Sequence, residues 1–177
     1  MLRRRCRPAR RGVAAIELAV VTMFFVIPLL FGVWEVGRLV QVQQVVANSA
    51  REGARLAAQG YTINGFASPT QIMVNSGSPN VHDSVYQYLY AAGLTNLQPS
   101  DVTVTFSYLA PRTDGAPATE PYQGEKNQPF QVTVSVPWSK VRWVNLGLVN
   151  PTTVTFTVVW RMAIDDPFTV NDTIPTW

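Results

Sequence analysis

The chain has 177 residues, 47% apolar and 14% charged, with a formal net charge of +3 and a sequence pI near 9.3. Residues 1 to 12 carry six of the fourteen basic side chains and no acidic ones, so the remainder holds eight against eleven, or −3. The high pI therefore belongs mostly to a leader, no basic face with interleaved aromatics argues for nucleic acid, and the single Cys6 excludes an internal disulfide downstream.

The leader contains Arg3, Arg4, Arg5, Arg7, Arg10 and Arg11 and ends at Gly12. From Val13 to Trp34 the sequence is predominantly apolar with Glu17 its only charge and would span roughly 33 Å as a helix, against a hydrocarbon core of about 30 Å. This predicts one membrane span, and the arginines before it put the N-terminus in the cytoplasm. A cleaved secretory or twin-arginine signal would need a small-residue site of the Ala-x-Ala kind after a shorter apolar core, and none follows Trp34. Glu17 is the residue to explain, since a carboxylate in hydrocarbon costs several kcal/mol without a partner. Pro28 removes a backbone hydrogen bond and predicts a bend, with Gly32 and Gly37 loosening the helix between about Val26 and Gly37.

Helical periodicity continues to about Gln59. Val36, Val40, Gln43, Ala47, Ala50, Ala54 and Ala57 recur at steps of four and three, a heptad-like seam whose small residues permit close approach. Either a neighbouring subunit or the chain's own head covers such a seam. Glu35 with Arg38, and Glu52 with Arg55, have the i,i+3 spacing of helix-positioning pairs. Gly53 marks close packing against another backbone.

Residues from Tyr61 to Pro79 are rich in Gly, Ser, Asn and Pro and read as a connecting loop. A second helix begins near Asn80, with Asp83 at its third position, and ends at Gly93; Val85, Tyr88, Leu89 and Ala92 form its apolar face. Three alternating runs follow: Val102, Val104, Phe106, Tyr108; Val132, Val134, Val136, Trp138; and Val154, Phe156, Val158, Trp160. They predict an antiparallel meander with one buried face. Between the first two, Ala110 to Pro129 is long enough to be a mobile surface loop. The predicted fold class is α+β: a long N-terminal transmembrane helix with a proline kink, then a small head with one helix on a three-stranded antiparallel sheet. Its parts are a basic cytoplasmic leader (1–12), a transmembrane helix (13–36), an extracytoplasmic continuation (37–60) and the head (61–177).

Two blocks carry a family resemblance. The first is the basic leader ending in Gly12, with Glu17 at the fifth position after it. The second is Asn48-Ser-Ala-Arg-Glu-Gly-Ala-Arg-Leu-Ala-Ala58, joined by Pro28 and Phe31-Gly-Val-Trp-Glu-Val-Gly-Arg38. Over its first third the chain resembles a TadE-like minor pseudopilin of the tight-adherence, or Flp-type IV, pilus apparatus. Relatives often have Phe or Tyr directly after the glutamate, where this chain has Leu18. The resemblance implies residence in the bacterial inner membrane, cleavage between Gly12 and Val13 by a prepilin peptidase, and assembly with other pilins or pseudopilins. It also implies that the new α-amine of Val13, mostly protonated at neutral pH, pairs with Glu17 of a neighbouring subunit. Arg51, Glu52, Gly53, Ala54 and Arg55 then form a helix packing motif.

No catalytic constellation is evident. His82 is the lone histidine, at a helix start where exposure is ordinary, and there is no phosphate loop or nucleophile elbow. Asp165, Asp166 and Asp172 lack a calcium-loop spacing. The expectation is a structural protein, neither enzyme nor cofactor carrier. The alternative is an unprocessed, single-span binding module whose extracytoplasmic head recognises a ligand.

Overall fold

A run of helix carries the chain from Arg11 to Gln59 in a computed structural model that describes residues 11–63, 69–143 and 150–164. It comprises α1 (Arg11–Val21), a π turn (Thr22–Val26) and α2 (Ile27–Gln59). The stretch Gly12–Gln59 is long and apolar enough to cross a membrane. Its apolar side chains from Val13 to Trp34 are exposed, as a lipid-facing surface requires.

The irregular backbone lies just upstream of the predicted place. Pro28 has no N–H, and its ring opposes the carbonyl four residues back, at Phe24. A π turn widens the helix there, and the Ile27 N–H reaches the Thr22 carbonyl. Gly32 and Gly37 leave the following backbone α-helical through Gln59.

Contacts divide the chain into two units, Met1–Val40 with Arg142–Asn150, and Gln41–Val141 with Pro151–Trp177. In the second, the latter half of α2 is a core element: Val42, Val46, Ala50, Ala54 and Ala57 are fully buried. The heptad-like seam thus divides in its use. Ala47, Ala50, Ala54 and Ala57 are covered by the chain's own head, whereas Val36, Val40 and Gln43 are exposed.

Gly60, at φ +66°, ends the helix in a conformation that suits glycine. The loop predicted from Tyr61 contains a small antiparallel hairpin, β1 (Tyr61–Ile63) with β2 (Pro69–Gln71). Its strand-forming Tyr-Thr-Ile run is too short to stand out from polar surroundings.

Helix α3 (Val81–Ala91) starts where expected, with the Asn80 side chain accepting the Asp83 N–H at 2.7 Å. It ends in paired bonds, Gly93 N–H to the Tyr90 carbonyl and Leu94 N–H to the Leu89 carbonyl, with Gly93 at φ +93°. Its buried stripe is Val81, Val85 and Leu89; Tyr88 and Ala92, expected on that face, are exposed. Packing selects the i, i+4, i+8 row.

The sheet has the predicted form. β3 (Thr103–Tyr108), β4 (Pro129–Pro137) and β5 (Thr153–Arg161) pair antiparallel in the order β3-β4-β5. Val104, Val132, Val134, Val136, Val154 and Val158 form the buried face. The opposite face is a ladder of hydroxyls and amides, with Thr133 to Thr157 at 2.7 Å, Thr155 to Ser135 at 3.0 Å and Gln131 to Ser107 at 3.0 Å. Two tryptophans depart from the predicted strands. Trp138 is buried but opens the short helix α4 (Trp138–Val141) after Pro137, and Trp160 stays 43% exposed near the end of the edge strand.

Candidate functional site

Gly12, Val13 and Glu17 lie in the first turns of the helix, which begins at Arg11. Glycine lowers helix propensity, and a Cβ built on Gly12 meets nothing within 4 Å. Val13 is 60% exposed. Glu17 is also exposed, between the exposed Ile16 and Leu18, and has no hydrogen bond or ion pair among the described residues. The chain thus brings Gly12, Val13 and Glu17 onto one short helical segment and, among the described residues, supplies no partner for the carboxylate.

Further along α2, the segment Arg51 to Arg55 separates into two faces. Outward, Arg55 grips Glu52 in a two-pronged contact at 2.6 and 3.0 Å, which holds the Glu52 carboxyl below its ordinary pKa. Arg51 bonds the Asn48 side chain at 2.9 Å and lies 5.8 Å from the Phe156 ring centroid. Inward, Gly53 and Ala54 are buried. A Cβ on Gly53 would stand 2.6 Å from Val85 Cγ2 and 3.2 Å from Val81 Cγ1. Gly53 therefore admits the side chains of α3, where another backbone was expected.

Residues 12–55 match the family model of TadE-like proteins. No curated protein and no solved structure matches the chain. The TadE-like segment takes in Gly12, Glu17, Pro28 and the Arg51 to Arg55 motif and ends within α2. The match leaves the head outside it.

Glu35 and Arg38, at i,i+3 spacing in the same segment, are both largely enclosed, at 6% and 9% exposed, and neither Glu35 oxygen has a hydrogen-bond partner among the described residues. Arg38 places its guanidinium 4.5 Å from the ring centroid of Trp143. Nothing in local spacing pointed to Trp143, since the contact is made far along the chain.

His82 is more enclosed than predicted. Its Nε2 lies 3.1 Å from both the Pro99 and the Val102 carbonyl oxygens, which makes Nε2 the proton-bearing nitrogen and leaves Nδ1 3.4 Å from Asp83. That arrangement pins α3 to the turn before β3 rather than preparing a base. Among the described residues no three His, Cys, Asp or Glu side chains gather as metal ligands. Asp165, Asp166 and Asp172 lie outside the described residues, as do Cys6 and the arginines before Arg11.

One open groove, of about 560 Å³, runs beside β3 from Phe106 to Leu109 and is closed by Gly115 to Thr119. The loop that walls it is tied down more than its length suggests. Arg112 pairs with Asp114 at 2.7 Å, the Thr113 N–H and hydroxyl both bond Glu125 at 2.9 Å, and the Gln128 amide donates to the Ala110 carbonyl at 2.8 Å. Tyr108 donates to the Glu120 and Pro121 carbonyls, and burial raises its phenol pKa.

Proposed function

We propose that this chain is a minor pseudopilin of a tight-adherence pilus apparatus, anchored in the inner membrane with its N-terminus in the cytoplasm and its head outside. A prepilin peptidase cuts it after Gly12. The observation that carries this reading is Glu17, a solitary carboxylate on an exposed apolar helix, five residues after a glycine that closes a basic leader. An ion left unpaired in hydrocarbon costs several kcal/mol. The protonated α-amine of Val13 on an adjoining subunit supplies the opposite charge, and pairing two buried ions fixes axial register because breaking such a pair costs about 3–5 kcal/mol. The role is structural, with the peptidase and other pilins or pseudopilins as partners.

The test is Glu17→Ala beside Glu17→Gln. Both variants insert into the membrane at the normal level, since each removes a charge from the apolar helix, while piliation falls sharply. Normal piliation in Glu17→Ala would contradict the pairing role. The groove beside β3 favours a second reading, an unprocessed anchored module whose head binds a ligand there. That reading requires neither Gly12 nor Glu17, so it predicts no effect from either residue.

A further inference from the structure

The charge-free run that follows Glu17 ends at Trp34, the residue before Glu35, and Trp34 is 56% exposed. Its ring meets that of Trp143, 63% exposed, edge to face with centroids 6.3 Å apart. Trp143 belongs by sequence to the segment just before β5, and by its contacts to the same unit as the membrane helix. Arg38, one turn beyond Trp34, lies over the Trp143 ring and is itself 9% exposed. Two large indoles are thus held together and left open to the surroundings. A cation fixes the outer one.

Such exposure is costly in water and favourable at one particular place. An indole has an apolar body and a polar N–H, and tryptophan collects at the level of lipid headgroups, where both ends are satisfied. Trp34 stands at the end of the charge-free apolar run, next to Glu35 and one turn before Arg38, which is the place on a spanning helix that meets the headgroup layer. A guanidinium stacked on a ring within about 6 Å is attracted by the ring's electron-rich face, and more strongly where it is shielded from water, so Arg38 helps to keep the pair assembled.

We propose that Trp34 and Trp143 form an interfacial aromatic anchor in the outer leaflet of the inner membrane, with Arg38 as the positioning residue. The chain then touches the bilayer twice, once through its helix and once through a residue more than a hundred positions later. The occupant is the headgroup and upper acyl region of the phospholipid. Continuity with the lipid-facing helix favours it over a second copy of the chain. The inference rests on the membrane-spanning reading proposed above.

The full-length protein, reconstituted in phosphatidylethanolamine and phosphatidylglycerol vesicles with or without brominated acyl chains, reports this through tryptophan quenching. Wild type is compared with Trp34→Phe, Trp143→Phe and Trp160→Phe, the last a partly exposed ring on β5 that serves as control. Each of the first two replacements should remove a share of the bromolipid quenching, and Trp160→Phe should remove none. Arg38→Ala should lose the Trp143 share while keeping that of Trp34, and Arg38→Lys should retain part of it. Circular dichroism on each variant confirms an intact fold.

Loss of quenching in Trp34→Phe but not in Trp143→Phe would overturn the anchor and leave the membrane span standing. Bromolipid quenching in neither would overturn the span as well. Trp143 emission insensitive to lipid but shifting with protein-to-lipid ratio would assign the rings to a second copy instead.

Discussion

At the scale of single residues, the chain uses two glycines in opposite ways. A Cβ at Gly12 would face open space, so packing does not require glycine there. Gly53 faces Val81 and Val85 so closely that even a methyl group overlaps a β-branched side chain. Gly53→Ala gains about 1 kcal/mol of helix propensity and incurs an overpacking cost of about 1–3 kcal/mol, so we expect a net loss of about 1 kcal/mol. Denaturant unfolding of the full chain in detergent measures it. Adding Val85→Ala should recover part of the loss through coupling between the two sites; strictly additive losses would refute the contact as the cause. The sequence marked Gly53 as a point of close approach, but α3 is identified as its neighbour only by tertiary packing. Arg38 shows the reverse limit. Its guanidinium lies over the ring of Trp143, a partner far along the chain that no local spacing indicates.

At the scale of elements, regular periodicity translated directly into structure. The alternating valines became the three-stranded sheet, and Asn80 with Asp83 became the cap of α3. Short or irregular pieces did not translate. The hairpin of β1 and β2 has three residues per strand, and the Ala110 to Pro129 loop is organised by side-chain bonds that no local pattern announces. In that loop Asp114 accepts from the Ala116 N–H and Glu125 from the Thr113 N–H, and these bonds, with Arg112 nearby, lower both carboxyl pKa values. A carboxyl whose folded pKa is depressed contributes stability above its unfolded pKa and loses it as pH falls through the folded one. The loop should therefore loosen below about pH 4 while the sheet persists. Hydrogen exchange at Thr113 and Ala116, corrected for intrinsic rates, should show protection lost at about pH 3 relative to about pH 7. Equal protection at both would show that the carboxylates do not hold the loop.

At the scale of the whole molecule, the helix is exposed and apolar in the part long enough to cross a membrane and buried and alanine-rich where it joins the head. The first feature was plain from composition. Which half of the seam the head would cover was not, because alanine at heptad spacing suits a subunit interface and an intrachain core equally. Processing would also reverse the charge of the molecule, from +3 to −3, since the leader holds six basic residues and no acids. The central claim is that this leader is removed. The most direct test is the N-terminal residue of the membrane-extracted protein, read by intact mass and N-terminal peptide analysis in cells with and without the cognate prepilin peptidase. We predict a chain starting at Val13 only when the peptidase is present, and an uncut chain in Gly12→Leu, whose side chain obstructs close backbone approach at the scissile bond. An arginine-rich leader retained in both strains would contradict the account and make the protein a permanent signal-anchored one.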